Sequence, residues 1–287
     1  MRTRSVVLML AALALSAAHV RAAEISVPKQ VVAGKDLSVR TGGSGEATLI
    51  LAGPSHVSRH QVRLGEQFML KGEELRRAGR YIVVLEGGDA SAAFFVTADA
   101  PSNVAFLAQP SRVPAARPDA VSGTAFVMDR YDNLVTAPTP VKFELAVPGT
   151  AAETRTTTSK DGVAWVRMPS GRREGPAQFT AAIGNVVATK RVVQQVAAEP
   201  CNLRMRAKPS KNGILVETDP IRDCSGNAVP DGTIVTFTQV DGNGKSTVDA
   251  RIKRGVARAE LPPAERATIS VASGVVVGNE IRWGGGR

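Results

Sequence analysis

Short segments in which apolar and polar residues alternate, each closed by Gly, Pro, Asn or Asp, recur along most of this chain. Alternation with a period of two puts successive side chains on opposite faces of a strand, so one face is buried and the other is wet. The pattern predicts strands at 47–51, 81–85, 93–97, 123–128, 141–145, 163–168, 234–238 and 268–272, all rich in Val, Ile, Thr and Phe. One stretch, 71–78, has helical character and ends at Gly79. Strands at regular spacing with turn residues between them argue for an all-β chain of stacked sandwiches rather than for alternating strand and helix units.

The first 22 residues follow another pattern. Arg2 and Arg4 precede an apolar run from Val6 to Leu15, and small residues follow at Ser16–Ala18 and Ala22–Ala23. That order is the charged, apolar and small-residue order of a secretory signal, with cleavage expected after Ala22. The run is too short to span a bilayer, which takes about 20 residues. No Cys stands directly at the cleavage point, so a lipid anchor is not expected, and no later apolar run is long enough for a span. The mature chain is therefore expected to be exported, to the periplasm, the medium or the cell surface.

Losing Arg2, Arg4 and Arg21 lowers the 36 basic residues to 33 against 26 acidic, a net charge of +7. This excess suits acidic polysaccharide, lipid head groups or nucleic acid. The Lys and Arg are nevertheless scattered, and two Tyr and two Trp are few for base stacking, so nucleic acid is not an expected partner.

An internal repeat sets the domain plan. Pro101-Ser102-Asn103 matches Pro200-Cys201-Asn202, and Pro110-Ser111 matches Pro209-Ser210, at an offset of 99. Asp129 to Asn133 matches Asp223 to Asn227 at an offset of 94, and Gly162-Val163-Ala164 matches Gly255-Val256-Ala257. The extra residues of the first copy fall near Arg112–Arg117, where a longer loop is expected. The expected plan is a signal peptide (1–22) followed by domains at 23–99, 100–198 and 199–287, with Pro-stiffened junctions. In the first domain Tyr81 enters a strand after a Gly turn, where its hydroxyl can reach upstream backbone or the ring can simply be half-buried.

These units resemble bacterial immunoglobulin-like domains of the invasin and intimin (Big-1) type. The resemblance rests on Asp129…Asp132-Asn133…Val141-Lys142-Phe143…Asp161-Gly162-Val163-Ala164 and on Asp223…Gly226-Asn227…Val235-Thr236-Phe237…Gly255-Val256-Ala257. It covers residues 101 to about 283 and implies three tandem immunoglobulin-like β-sandwich domains, with roles as stalks or adhesive modules on bacterial surfaces. No segment of these 287 residues matches the outer-membrane barrel region of invasin-like proteins, so surface display through such a barrel is not expected from this sequence.

Cys201 and Cys224 are the only cysteines. Asn212-Gly213 signals a two-residue hairpin, in which paired positions sum to 425, so the two thiols are expected to face one another. Pro209 lacks an N–H and predicts a bulge in that ladder. Export provides an oxidising compartment, and closing a loop of about 24 residues stabilises by about 3 kcal/mol in the chain-entropy model.

Residues able to carry chemistry are few. His56 and His60 would share a metal only on a helix, and the flanking Gly53-Pro54 argues for loop or strand. Asp129, Asp132 and Asn133, and Asp241 with Asn243, offer oxygen ligands but read as turn formers. Gly242, Gly244, Lys245 and Ser246 imitate part of a phosphate loop without its spacing or following helix. No cofactor and no enzymatic activity are expected. One contact residue stands out: in 163–168, Ala164, Val166 and Met168 form the core face, which turns Trp165 and Arg167 outward. Trp and Arg beside each other suit a partner contact, with packing against a neighbouring domain as the other reading. The functional expectation is a non-enzymatic adhesive, protein-binding or spacer module that meets a protein or glycan of the bacterial envelope. A filament subunit or assembly factor, or a carbohydrate-binding accessory, are the alternatives.

Overall fold

The computed structural model describes residues 24–87, 90–188 and 190–284; the signal segment lies outside the described residues. It separates into two compact units, 1–99 and 100–287. Every strand expected from alternation is present, generally extended by one to three residues. The helical stretch is a single 3-10 turn, Gly72–Leu75.

In the first unit a three-stranded sheet (Ile25–Ser26, Leu37–Thr41, Gln67–Leu70) accompanies a five-stranded one (Gln30–Val32, Ser91–Thr97, Gly79–Leu85, Glu46–Ala52, Val57–Arg63). Gln30–Val32 runs parallel to Ser91–Thr97 and covers its edge. Leu49, Leu51, Tyr81, Val83 and Phe94 are buried, and the Tyr81 and Phe94 rings stack with centroids 5.4 Å apart. The Tyr81 hydroxyl donates to the Arg77 carbonyl oxygen at 3.0 Å, the upstream-backbone contact. Burial raises the Tyr81 phenol above its ordinary value, against the lowering effect of Arg77.

The second unit contains two further sheet pairs. The first of them joins a three-stranded sheet (Asn103–Gln109, Val121–Met128, Val163–Met168) to a larger one built on Arg112–Pro114, Arg191–Val196, Gly175–Ile183, Pro140–Ala146 and Glu153–Thr158. The other has a three-stranded sheet (Met205–Pro209, Ile214–Thr218, Arg258–Leu261), a four-stranded sheet (Gly244–Arg251, Ile234–Asp241, Ala267–Ser273, Val276–Trp283) and a short pair, Pro200–Cys201 with Arg222–Asp223. Phe237, Ile214, Ile252 and Ile269 fill its core.

The length difference between the copies is more than a loop. The extra residues form the Arg112–Pro114 strand, which crosses to the larger sheet and pairs in parallel with Gln194–Val196. In the other copy Pro209 lies opposite Ile214, the chain turns at once, and no crossing strand forms among the described residues.

The hairpin at Asn212-Gly213 corrects the expected register. Its loop runs from Ser210 to Gly213, closed by the Ser210 N–H on the Gly213 oxygen at 2.9 Å, and the ladder pairs Cys201 with Arg222. The bonded pair that closes the turn is thus Ser210 with Gly213, so Gly213 stands on the strand flank rather than in the turn, pressed against the Leu261 carbonyl with no room for a side chain. The Cys201–Cys224 disulfide forms all the same, diagonally, with Cα atoms 4.9 Å apart.

The two sheet pairs of this unit meet at a built joint. The Asn227 amide donates to Arg172 O at 2.7 Å, and its oxygen accepts the Glu174 N–H at 3.1 Å. Asp223 takes the Ala198 N–H at 2.9 Å, the Ser225 and Asn227 N–H groups, and the Asn227 side chain. Burial alone pushes the Asp223 carboxyl up, but these donors outweigh it and hold it below its ordinary value of 3.8.

Candidate functional site

The outward face of the sheet formed by Asn103–Gln109, Val121–Met128 and Val163–Met168 is the site built from the most specific observations. Along Val163–Met168 the side chains of Ala164, Val166 and Met168 are buried, and Trp165 and Arg167 are exposed, as alternation requires. Register then assembles rows. Thr124 is opposite both Leu107 and Trp165, Ser122 is opposite Gln109 and Arg167, and Phe126 is opposite Ala105 and Val163. Trp165 is 54% exposed and Leu107 52%. The face is thus graded, from a polar row through a mixed row to an apolar one.

Its backing is rigid. Phe106 and Phe179 meet edge to face at 5.0 Å, and Phe143 lies 6.0 Å and 6.4 Å from them. Gly123, in the middle strand, leaves room for them, since a Cβ there would sit 2.7 Å from the Phe179 ring. On the wet side the Arg167 guanidinium stands 5.6 Å from the Trp165 ring, a cation–π distance. Arg155 reaches from the neighbouring strand to donate to the Arg167 carbonyl at 2.6 Å.

The same positions in the last sheet pair look different. Arg206, Glu217 and Arg258 replace Leu107, Thr124 and Trp165 in the matching row. Glu217 pairs with Arg258, with Nε donating at 2.6 Å, and Arg206 pairs with Asp219 at 2.9 Å. Outward positions with no role beyond solubility tolerate such charge ladders. The exposed indole and leucine of the other copy are therefore not dictated by the fold.

Trp165 and Arg167 are brought together as the sequence indicates. Leu107, Thr124 and Phe126 are not identifiable from the sequence as members of this face, because cross-strand register is invisible to a linear reading. The alternation of Val104 and Phe106 inward against Leu107 outward was the available signal.

The remaining candidates resolve into structural roles. His56 precedes Val57–Arg63 and His60 lies within it; His56 packs near Tyr81, whereas His60 packs on Phe68, so the two do not converge. Ser58, His60 and Glu74 do form a cluster: Ser58 Oγ donates to Glu74 Oε2 at 2.6 Å, and both lie 3.0 Å from His60 Nε2. A nucleophile relay needs hydroxyl and carboxylate on opposite ring nitrogens. Here they share one, and the hydroxyl proton goes to the carboxylate, so the cluster clasps the 3-10 turn to the edge strand. Asp129 takes the Tyr131 and Asn133 N–H groups at 2.8 and 2.9 Å, a turn-forming use of its oxygens. Asp241 likewise accepts the Asn243 N–H at 2.8 Å, and Asp241 pairs with Gly244, so the phosphate-loop imitation is a hairpin tip with no helix behind it. Among the described residues no group of three His, Cys, Asp or Glu stands close enough to hold a metal. No helix among them is long and apolar enough to cross a membrane.

No family model matches the chain, and no curated protein matches its sequence. Solved structures do. FdeC, a broadly conserved Escherichia coli adhesin, superposes with a TM-score of 0.56 at 16% identity, covering 92% of this chain and 96% of that one. InvD of Yersinia pseudotuberculosis is similar at 11% identity and a TM-score of 0.47, covering 92% of this chain and 98% of that one. The chain has the bacterial immunoglobulin-like fold.

Proposed function

We propose that this chain is an exported, non-enzymatic adhesive module of three immunoglobulin-like domains (23–99, 100–198 and 199–287) after a cleaved signal peptide. It holds a protein of the cell envelope or of a neighbouring surface on the Leu107–Thr124–Trp165 face. The observation that carries this reading is the contrast of one register position: an exposed Trp165 in one copy, an ion-paired Arg258 in the other. Exposed aromatic and aliphatic anchors beside an Arg have the composition of interaction hot spots. A protein surface suits the face better than a glycan because the Arg167 guanidinium already stands over the indole against which a sugar ring would stack. Adhesion is the activity named for FdeC, and the shared fold accords with that reading here. The Asn227 joint supports an added spacer role, since it ties consecutive sheet pairs together through side chains.

The test is site-specific photocrosslinking in cells, with the probe at position 165 and, as control, at position 258, followed by fractionation of the envelope. A discrete adduct at 165 and none at 258 supports the proposal. Equal adducts at both positions, or none, overturns it.

A further inference from the structure

The last sheet pair carries a second site of different chemistry. Between Gly244 and Ala259 the sequence places five cations and one acid. The fold concentrates them on an open groove of about 670 Å³ between the edge strand Gly244–Arg251 and the strand Arg258–Leu261. Val248, Ala250, Val256 and Ala259 supply its apolar lining, and Asp249 stands beside the four cations Arg251, Lys253, Arg254 and Arg258 along it. We infer that this groove binds an extended anionic glycan, carboxylated or sulfated.

The cations are held out for use. Lys253 and Val256 close a tight turn in which Arg254 and Gly255 have φ of 52° and 80°. Asp231 pins that turn by accepting the Arg254 and Gly255 N–H groups at 2.8 and 3.2 Å. These two backbone donors are the main reason its carboxyl lies below the ordinary value, with its charge committed to backbone donors as well as to Arg254 nearby. Asp249, the one acid in the stretch, accepts the Thr236 hydroxyl at 2.6 Å. Arg258 is neutralised by Glu217, but no ion pair engages Arg251 or Lys253 among the described residues.

Register shows that three of these four cations are particular to the last copy, Lys160 alone standing where Lys253 does. Thr158 stands where Arg251 does, Asp161 where Arg254 does, and Trp165 where Arg258 does. A groove between two sheet edges admits a linear chain, and converging cations raise the local concentration of an anionic one. No aromatic ring lines the groove, which removes the stacking platform a single-stranded nucleic acid needs.

The experiment titrates the whole mature chain with a heparin-derived oligosaccharide and, separately, an oligogalacturonate, which distinguishes sulfate from carboxylate ligands. The variant Arg251→Gln/Lys253→Gln/Arg254→Gln is compared with Arg204→Gln/Arg206→Gln/Lys208→Gln, which removes equal charge elsewhere in the same sheet pair. Binding of at least one glycan by the parent, weakened about tenfold or more only in the groove variant, supports the site. Its log–log salt slope should also fall by about two. Absence of binding by the parent at about 50 mM salt, or equal weakening in both variants, overturns it. Trp165→Ala leaves this binding unchanged, so the result stands apart from the fate of the Trp165 face.

Discussion

Trp165 and Arg258 occupy one position of a repeated fold: each lies on an edge strand, opposite Thr124 in one case and Glu217 in the other. The backbone environment is the same, yet one side chain is an exposed indole and the other half of an ion pair. Selection acting on the fold alone would make the two interchangeable.

That comparison yields a graft. Replacing Leu107, Thr124 and Trp165 with the row of the other copy, as Leu107→Arg/Thr124→Glu/Trp165→Arg, should change unfolding free energy by no more than about 1 kcal/mol, since exposed substitutions away from structural features cost little. It should also abolish partner capture at this face. Chemical denaturation and the crosslinking yield measure the two halves separately, and a loss of stability above about 3 kcal/mol would show that the row is structural.

Gly123 is held to glycine by its neighbour. Gly123→Ala places a methyl 2.7 Å from the Phe179 ring and 3.0 Å from Phe106. The two rings must shift, so destabilisation of about 1–3 kcal/mol is expected, read as a lower thermal midpoint. An unchanged midpoint would mean that the aromatic cluster repacks freely.

The Cys201–Cys224 bond ties the start of the last sheet pair to the loop that carries Asp223 and Asn227. The double variant Cys201→Ser/Cys224→Ser should lose about 3 kcal/mol in unfolding of this part of the chain. Hydrogen exchange should rise at Ala198, whose N–H is bonded to Asp223. Protection at Ala198 equal to that of the parent would separate the disulfide from the joint.

Acid should weaken the same joint. The Asp223 carboxyl is held below 3.8 in the folded chain, so it stabilises above its unfolded value, and that stability is lost as pH falls through the lowered one. Asp223→Asn should therefore be less stable than the parent at neutral pH and lose less on acidification between about pH 5 and pH 2. Thermal midpoints across that range decide it; parallel pH curves would exclude Asp223 as the titrating group.

Removing the Tyr81 hydroxyl is a smaller change. Tyr81→Phe forfeits the bond to Arg77 O and leaves that carbonyl one partner fewer, which should cost about 1 kcal/mol in the first unit. A midpoint equal to the parent's would reduce this contact to ordinary ring burial.

Much of this molecule is local and could be read from the chain. Alternation identified the strands because a two-residue period depends only on neighbours, and it turned Trp165 outward because Ala164 and Val166 must turn in. The repeat aligns residues from 101 onward as two versions of one unit, and the cysteine pair follows from there being only two cysteines, since the hairpin register sets Cys201 opposite Arg222. Tertiary structure decided what depends on register between distant strands. It placed Leu107 and Trp165 on either side of Thr124 and moved the hairpin ladder by two positions. It made a crossing strand of the expected loop at Arg112–Pro114 and opened a basic groove between two sheet edges. Side-chain direction is set by each residue's own backbone, whereas cross-strand neighbours are set by turn length and core packing. The outward Trp165 was therefore visible in the sequence, while the face around it emerged only on folding.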